Sequence, residues 1–378
     1  MKVLLLAPMS SVHERFGRAG ISALRALGCE IHLAANFSSS AHDKAYGRRM
    51  EAEGFLLHDL PFARHSLKKN LHLLPGLRRL LREEAFDLVH CHTETGGILT
   101  RLAMSAAGET RYLYAPHGMS FYKGGSLKSQ LLYRPVEKWI CAGMQKNLAM
   151  NGEELELLQK WNPETAGYIH GVGLDVEGIT ALSVDRAAKR AELGVPEGAV
   201  LLLSVGELNE NKNHRVVLEA LSRLPHENLC YMICGEGDRR EALRRQAEAS
   251  GIRLLLPGYR YDVREILKIA DLFLFPSLHE GLPVSIMEAM AAGLPVVCSD
   301  IRGNIDLIRD GENGLLCAPN DADGFAKAIS ALLCDGALAE RMAARSREVV
   351  ADFSLPRVTC EMQEIYEGVL QPCRKTHR

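Results

Sequence analysis

Short apolar runs alternate along the whole chain with segments in which apolar residues recur at helical spacing. The runs are rich in leucine, valine and isoleucine and are bounded by glycine or polar residues, which predicts buried β-strands. We predict four strands in the first half and five in the second: Lys2–Ala7, Glu30–Ala34, Asp87–Cys91, Arg111–Ala115, Val200–Gly206, Leu229–Cys234, Arg253–Leu256, Leu272–Phe275 and Pro295–Ser299.

Helical periodicity fills the intervals between these strands. The clearest segments are Arg18–Leu27, His214–Leu224, Arg239–Ser250 and Val263–Ala270. This alternation predicts an α/β architecture in which helices cover parallel sheets. Because ligands of such sheets bind at the carboxyl ends of the strands, we expect the functional residues in the loops that follow them.

The length of 378 residues suits two domains. A run broken by two glycines separates the two series of strands, and we place the linker near Gly171–Glu177. The predicted domains are residues 1–172 and 173–352. Hydrophobic residues make up 47% and charged residues 24% of the chain, which excludes a disordered or fibrous protein.

Charge is divided unevenly between the two halves. The net charge is −2, which argues against a general nucleic-acid binder. Met1–Asp175 holds 21 basic and 17 acidic residues, whereas the remainder holds 24 and 30. We therefore expect only the first half to meet an anionic surface.

The sequence indicates a cytoplasmic protein. The apolar run after Lys2 is too short for a signal peptide, and no uncharged window approaches the ~18–20 residues of a membrane span. Ten cysteines without a repeating spacing are typical of reduced thiols.

A basic stretch, Leu60–Arg82, interrupts this pattern. It contains six basic residues and no acidic one, interleaved with leucines. One interpretation is an ordinary pair of surface helices with a solvated charged face. The other is an interfacial patch that docks peripherally on the anionic inner face of the membrane.

The strongest candidate site lies between Ser277 and Val297, directly after a predicted strand. Glu280 falls in the loop, and Glu288 falls one to two turns into a helix predicted from Pro283 to Ala292, with Gly293 after its end. The intervening amides and the helix N-terminus form a site for anionic oxygens. Two carboxylates that bracket an anion site suit a sugar nucleotide, although Ser285 and Glu288 alone also match a capping box.

This segment resembles the Glu-x7-Glu motif of the retaining family 4 glycosyltransferases, which have the GT-B fold of two Rossmann-like domains facing across a cleft. The likeness extends over nearly the whole chain. Within the family, the sequence is similar to the bacterial capsule and exopolysaccharide transferases. Further matching segments are Ala115–Gly118, Phe121–Gly124, Pro135–Trp139, Val205–Asn213, Cys234–Asp238, Pro257–Arg260 and Phe353–Leu370. The last resembles a terminal segment, residues 353–372, that packs back on the first domain.

The resemblance implies a role for each matching residue. Lys212 would bind the diphosphate and stabilise the leaving group, Glu280 would contact hydroxyls of the transferred sugar, and His117 would reach toward that sugar. Glu288 would accept from the ribose hydroxyls. The other implied nucleotide-sugar residues are Gly206, Gly235, Gly237, Gly258, Tyr259, Arg260, Gly281, Leu282, Pro283 and Val284. No metal or other cofactor is expected.

Two departures from the family pattern stand out. Glu207 occupies a position that is usually arginine, and Lys123, Arg215 and Arg302 are the candidates for the missing charge. The first loop reads Met9-Ser10-Ser11, without the paired glycines that the family often carries.

Two weaker motifs are interpreted structurally. Asp321-Ala322-Asp323 matches a metal motif of another transferase fold but opens a predicted helix, Gly324–Leu333, so we interpret it as an N-cap. His90-Cys91-His92 has zinc-ligand residue types, but strand residues point to opposite faces and no further ligands lie nearby in the sequence.

We therefore expect a glycosyltransferase that moves a hexose or N-acetylhexosamine from a UDP-sugar to a polyprenyl-diphosphate-linked saccharide in cell-surface polysaccharide synthesis. Two alternatives remain open: a UDP-sugar epimerase of the same fold, and a catalytically weak subunit that binds sugar nucleotides. Dehydrogenase, P-loop, esterase and zinc-protease motifs do not occur in the sequence.

Overall fold

Two parallel β-sheets form the framework of the protein, which is described here by a computed structural model covering residues 1–63, 66–225 and 227–371. The first sheet has the order β3-β2-β1-β4-β5-β6-β7 and the second the order β10-β9-β8-β11-β12-β13. The strands are β1 Lys2–Met9, β2 Glu30–Asn36, β3 Leu56–Asp59, β4 Leu88–His92, β5 Arg111–Ala115, β6 Lys146–Ala149, β7 Ala166–Tyr168, β8 Val200–Val205, β9 Leu229–Cys234, β10 Arg253–Gly258, β11 Leu272–Phe275, β12 Val296–Ser299 and β13 Leu315–Cys317.

All nine predicted strands are present, and every strand pair is parallel. Four more strands occur, namely β3, β6, β7 and β13. Each has only three or four residues, too few for a hydrophobic pattern to be distinguished from a loop.

Helices connect successive strands within each sheet except β12 and β13, which are joined by a segment of turns. Those of the first half are α1 Ser10–Phe16, α2 Arg18–Ala26, α3 Ala41–Ala52, α4 Leu67–Asn70, α5 Leu74–Glu84, α6 Thr93–Ala103, α7 Leu127–Cys141 and α8 Gly152–Trp161. Those of the second half are α9 Val176–Ala181, α10 Arg186–Glu192, α11 His214–Leu221, α12 Arg240–Ala249, α13 Val263–Ile269, α14 Val284–Ala292, α15 Ala322–Cys334 and α16 Gly336–Val350. Short 3-10 turns occur at Leu71–Leu73, Met104–Ala106 and Ala351–Phe353. Among the described helices, none is long and apolar enough to cross a bilayer.

The chain divides into two domains. The first comprises Met1–Gly173 and the C-terminal segment from Leu355, and the second comprises Leu174–Ser354. A last helix, α17 (Leu355–Leu370), packs against α2 in the first domain, and its Tyr366 is fully buried there. Arg64 of the basic stretch and Pro372 of the predicted terminal segment lie outside the described residues.

Apolar side chains fill both faces of each sheet. In the second domain one cluster lies around Phe273, Phe275 and α14, and another packs α11 and α15 against the opposite face. The predicted N-cap at Asp321 is confirmed, because its Oδ1 accepts from the amide of Gly324 at 2.9 Å. Two-sided burial explains why these strands are almost uniformly apolar.

Candidate functional site

The strand order of the second sheet reverses between β8 and β11. Loops on either side of such a reversal diverge and leave a crevice at the carboxyl ends of the strands, where ligands of this sheet class bind. The loop after β8 carries Lys212, and the loop after β11 carries Glu280. Two residues that the sequence analysis selected separately therefore lie at one topological site.

Lys212 and Glu280 form an ion pair in this crevice. Nζ of Lys212 lies 2.5 Å from Oε1 of Glu280, and the two side chains are only 19% and 15% exposed. The same ammonium lies 4.9 Å from the centroid of the Phe275 ring, a cation–π distance. A Cβ at Gly206 would come within 3.2 Å of the Lys212 stem, so glycine leaves the space in which this stem lies.

Asparagines fix the loop that carries Lys212. Nδ2 of Asn211 donates to the carbonyl of His279 at 2.9 Å, and the Leu278 amide donates back to the carbonyl of Asn211 at 2.8 Å. Asn213 has left-handed backbone geometry, with φ at 51°, and donates to the carbonyls of Pro276 and Pro319. These bonds join the loops after β8 and β11, which holds Lys212 opposite Glu280.

Glu207, the departure from the family pattern, acts on this loop through Asn209. Its carboxylate accepts from Nδ2 of Asn209 at 2.8 Å, and Oδ1 of Asn209 accepts from the backbone amide of Lys212 at 3.0 Å. Glu207 thus helps to orient the backbone of Lys212.

The three candidates for the missing charge have different surroundings. Arg302 is 7% exposed, donates to the carbonyl of Glu280 at 3.2 Å and contacts Nε2 of His279 at 2.9 Å. Arg215 pairs with Glu219 on its own helix, and Lys123 belongs to the first domain. Within the second domain, Arg302 is therefore the candidate in contact with the Glu280 loop.

Three loops at one end of the sheet pack backbone against backbone. A Cβ at Gly235 would lie 1.9 Å from the carbonyl oxygen of Gly206, and one at Gly237 would lie 2.3 Å from that of Leu208. The Gly235 amide donates to the carbonyl of Gly258 at 2.9 Å. Glycine is thus required sterically at positions 235 and 237 for the loops after β8, β9 and β10 to meet.

Helix α14 begins shortly after Glu280 in the chain. It starts at Val284 after Pro283 and ends at Ala292, before the C-cap residue Gly293, whose φ is 81°. Pro283 is the N-cap and forms no side-chain cap, so the capping-box interpretation of Ser285 and Glu288 is wrong. The first-turn amides of α14 are therefore not occupied by a side-chain cap, and they carry the positive end of the helix dipole.

The remaining predicted residues lie on this helix, on the segment that leads into it, or on the loop after β10. Gly281 and Leu282 connect Glu280 to the helix, and Oε1 of Glu288 lies 3.7 Å from Nε of Arg264. Tyr259 is 52% exposed and meets Tyr261 edge-to-face at 5.0 Å.

Arg260 is engaged in an ionic cluster. Its Nε lies 2.7 Å from Asp262, and Nη2 lies 3.1 Å from Glu192. Hydrogen bonds from Arg260 lower the pKa of the Asp262 carboxyl below its ordinary value. The structure thus places Tyr259, but not the Arg260 guanidinium, as an exposed group of this loop.

His117 lies in the first domain, in the turn after β5. Its Nε2 is 2.8 Å from Nδ1 of His92, and its ring stacks on Phe16 at 4.8 Å. Burial lowers the pKa of His117 to about 3, so the imidazole is neutral near pH 7.

Sequence reasoning missed the surroundings of His117. His13, His90, His92 and His117, which we term the histidine cluster, are neighbours: the ring centroids of the other three lie 4.1–6.0 Å from that of His92. His90 and His92 share one face of β4, whereas Cys91 packs into the apolar core. The signal was the His-x-His pattern at a strand end. In the described ranges no group of three or more histidine, cysteine or acidic side chains has the geometry to hold a metal ion.

Comparison with known protein families accounts for both domains. Residues 185–349 match the glycosyl transferases group 1, and residues 18–167 match the glycosyl transferase 4-like domain. The chain is 31% identical to the glycosyltransferase EpsD of Bacillus subtilis (strain 168), over 98% of this chain and 97% of that protein. It is 29% identical to the UDP-Gal:alpha-D-GlcNAc-diphosphoundecaprenol alpha-1,3-galactosyltransferase of Escherichia coli, over 80% of each chain.

Solved structures agree at the level of the fold. Anabaena Alr3699/HepE, solved in complex with UDP and glucose, is 18% identical and superposes with a TM-score of 0.81. The match covers 97% of this chain and all of the other. From the family matches and the extent of the EpsD similarity, the chain belongs to the family 4 glycosyltransferases and has the GT-B fold of two Rossmann-like domains.

Proposed function

We propose that this protein is a retaining, metal-independent glycosyltransferase that transfers a hexose or N-acetylhexosamine from a UDP-sugar to a polyprenyl-diphosphate-linked saccharide. The observation that carries the proposal is the Lys212–Glu280 pair at the strand reversal, beside the N-terminus of α14. The crevice therefore holds both groups that a sugar diphosphate needs: a cation for the diphosphate, Lys212, and a hydrogen-bond acceptor for the sugar hydroxyls, Glu280. The names of two similar proteins support the donor and acceptor classes, since one was solved with UDP and glucose and the other is a UDP-Gal transferase acting on a diphosphoundecaprenol.

The chemistry follows from where charge develops. Cleavage of the bond between the anomeric carbon and the diphosphate oxygen leaves an additional negative charge on UDP. Lys212 and the first-turn amides of α14 stabilise that charge more in the transition state than in the ground state. Glu280 accepts hydrogen bonds from the hydroxyls of the transferred sugar and so orients its anomeric carbon.

Retention of configuration is consistent with transfer on one face of the sugar. The acceptor hydroxyl oxygen bonds to the anomeric carbon as the bond to the diphosphate breaks, and the hydroxyl proton passes to the departing phosphate oxygen. Each atom is then accounted for without a protein nucleophile. His117 belongs to this proposal as a neutral hydrogen-bonding group for the donor sugar, and Tyr259 as an aromatic face for the base.

Peripheral membrane docking forms part of the proposal, because a polyprenyl acceptor is anchored in a bilayer. The predicted basic stretch supports it only partly: Leu77 and Leu81 are buried, while Leu67 and Leu71 are about half exposed. The larger apolar exposure is on α7, where Leu127 and Leu131 are 81% and 78% exposed and Leu132 is also exposed.

The charges of α7 complement this exposure. Lys128, Arg134 and Lys138 lie on its exposed face, and Lys123 precedes it. Glu137 on the same helix is buried, and burial raises its pKa to about 8. An exposed leucine and lysine face without an ionised acid suits an anionic lipid surface.

Donor binding is tested first, by thermal shift against a panel of nucleotide sugars with UDP alone for comparison. A donor at 100 times its Kd should add ~2.7 kcal/mol of stability. Transfer is then measured as UDP release with a polyprenyl-diphosphate N-acetylglucosamine acceptor, with and without EDTA. Equal rates with the chelator are expected, and a rate that needs added divalent metal would contradict metal independence.

The same assay separates the alternatives. An epimerase would interconvert UDP-N-acetylglucosamine without an acceptor, and a binding subunit would bind UDP without turnover on any acceptor. Either result would refute the transferase proposal.

A further inference from the structure

Two histidines from neighbouring strands meet at the carboxyl edge of the first sheet. β4 ends with His92, β5 is followed by His117, and the strand register pairs His92 with Ala115. Nδ1 of His92 lies 2.8 Å from Nε2 of His117, and the two rings stack with centroids 5.0 Å apart and planes at 20°. His92 is thus the polar partner of His117, the residue proposed to contact the donor sugar.

Both turns that present this contact have an unusual backbone. His117 has φ at 58°, and Thr93, directly after His92, has φ at 64°. Left-handed geometry is uncommon for histidine and rarer for β-branched threonine, and it costs ~1 kcal/mol or more per residue. Such strain persists where surrounding contacts hold it, and the bond between His92 and His117 joins the two turns.

Because both imidazoles of the pair are neutral, the hydrogen bond between them determines the tautomer of each ring. Burial lowers the pKa of His117 to about 3 and holds the pKa of His92 well below its ordinary value. Two neutral imidazoles that share one hydrogen bond have one proton between Nδ1 of His92 and Nε2 of His117. A neutral ring carries one N–H and one lone pair, so the state of Nε2 decides whether Nδ1 of His117 donates or accepts.

The remaining contacts hold His92 in place and leave one nitrogen of His117 for a ligand. His90 packs against His92 at 4.1 Å, and its Nδ1 lies 2.8 Å from the hydroxyl of Tyr366 on α17. Nδ1 of His117 is buried and has no hydrogen-bond partner among the described residues.

We propose that His92 is a positioning residue for His117: by holding Nε2, it fixes the ring orientation and the tautomer in which Nδ1 of His117 meets a substrate hydroxyl. The proposal rests on the transferase function for its catalytic consequence. Its structural part, a single tautomer imposed by His92, is independent of that function.

The test uses the full-length protein with selectively 15N-labelled histidine. Wild type should show a 15N–15N coupling across the hydrogen bond and a single His117 tautomer. His92→Ala should abolish the coupling and average the His117 signals. Asparagine can place an amide near the position of histidine Nδ1, so His92→Asn should keep one His117 tautomer. His72→Asn, at an exposed histidine of the same domain, is the matched control.

Kinetics provide the second measurement. Displacement of a positioned group by about 1 Å can cost ~10²-fold, so we expect His92→Ala to lower kcat about 10- to 100-fold. His92→Asn should recover most of that loss, and UDP affinity should be unchanged in both variants. An absent coupling, or a His92→Ala protein with wild-type His117 signals and kcat, would overturn the inference. Absence of turnover in wild type with the coupling intact would refute the transferase function but leave the imposed tautomer supported.

Discussion

Lys212 and Glu280 are 68 positions apart in the chain, yet Nζ of the lysine lies 2.5 Å from Oε1 of the glutamate. Each comes from a loop on one side of the strand reversal, and each is more than four-fifths buried. Mostly buried charges need a partner, because desolvation disfavours an isolated ion. Each residue therefore depends on the other before it can act on a ligand.

Truncation of either member of the pair should abolish most activity. We expect Lys212→Ala and Glu280→Ala each to lower turnover about 10²-fold or more, because each loses contact with the reacting sugar diphosphate. UDP release in the presence of acceptor measures the effect. Lys327→Ala, at an exposed lysine of the same domain, is the control and should match wild type. Near wild-type transfer by either pair variant would refute the assignment.

The glycine turn after β9 should tolerate no side chain. Gly235→Ala would place Cβ 1.9 Å from the Gly206 carbonyl oxygen, so the loop that carries Lys212 would have to move. We expect a lower melting temperature and at least a tenfold loss of affinity for UDP, measured by calorimetry. At Gly336 no atom lies within 4 Å of the built Cβ, so Gly336→Ala should leave both quantities close to wild type. Unchanged UDP binding by Gly235→Ala would show that the loop contact is not needed.

The histidine cluster should make the protein sensitive to mild acid. Burial lowers the pKa of His13 to about 4 and of His117 to about 3, and it also lowers that of His90 and His92. Below pH 6.5 the unfolded chain binds protons that the folded chain does not bind. Stability should therefore fall from pH 6.5 toward pH 4, by up to ~1.4 kcal/mol per pH unit for each histidine.

One group in the same domain acts in the opposite direction. The raised pKa of Glu137 favours the folded state as pH falls, but it is one carboxyl against four imidazoles. Unfolding midpoints in urea at pH 7.5, 6.0 and 5.0 measure the net effect. His13→Gln should reduce the acid sensitivity, and His72→Gln should not. A midpoint that stays constant from pH 7.5 to 5.0 would contradict the prediction.

Removal of the exposed leucines of α7 should weaken membrane binding. The double variant Leu127→Ser/Leu131→Ser removes side chains that are about four-fifths exposed, so folding should be preserved. We expect about a tenfold loss of binding to phosphatidylglycerol vesicles in sedimentation assays, and loss of wild-type binding in high salt. Ile305→Ser, at a half-exposed isoleucine of the second domain, is the control. Equal sedimentation of wild type and the double variant would exclude α7 as the docking face.

The hydrophobic pattern of the sequence was sufficient to predict the long strands of each sheet but not the short strands at its edges. β1, β8 and β9 are long, buried runs with glycine or polar boundaries, and these features belong to the sequence itself. β7 and β13 have three residues each and exist because a neighbouring strand offers free backbone groups. That pairing partner cannot be identified from a three-residue pattern.

The site was predicted as residues but not as contacts. Glu280 was identifiable because it follows a predicted strand, and Lys212 because its segment resembles the family's diphosphate-binding segment, whereas their ion pair depends on which strands are neighbours. His92 was discounted as a metal ligand because Cys91 points away from it. Its actual partner, His117, follows a different strand and is brought near by the order of the sheet.

Helix α17 gives the first domain a particular order of assembly. The domain begins at Met1, but the helix that buries Tyr366 against α2 and contacts His90 starts only at Leu355, after the entire second domain. During synthesis the second domain can therefore fold while the first still lacks one of its packing surfaces. Because α17 is translated after the whole second domain, a nascent chain that lacks α17 would have a complete second domain but a first domain in which α2 and His90 still lack their packing partner.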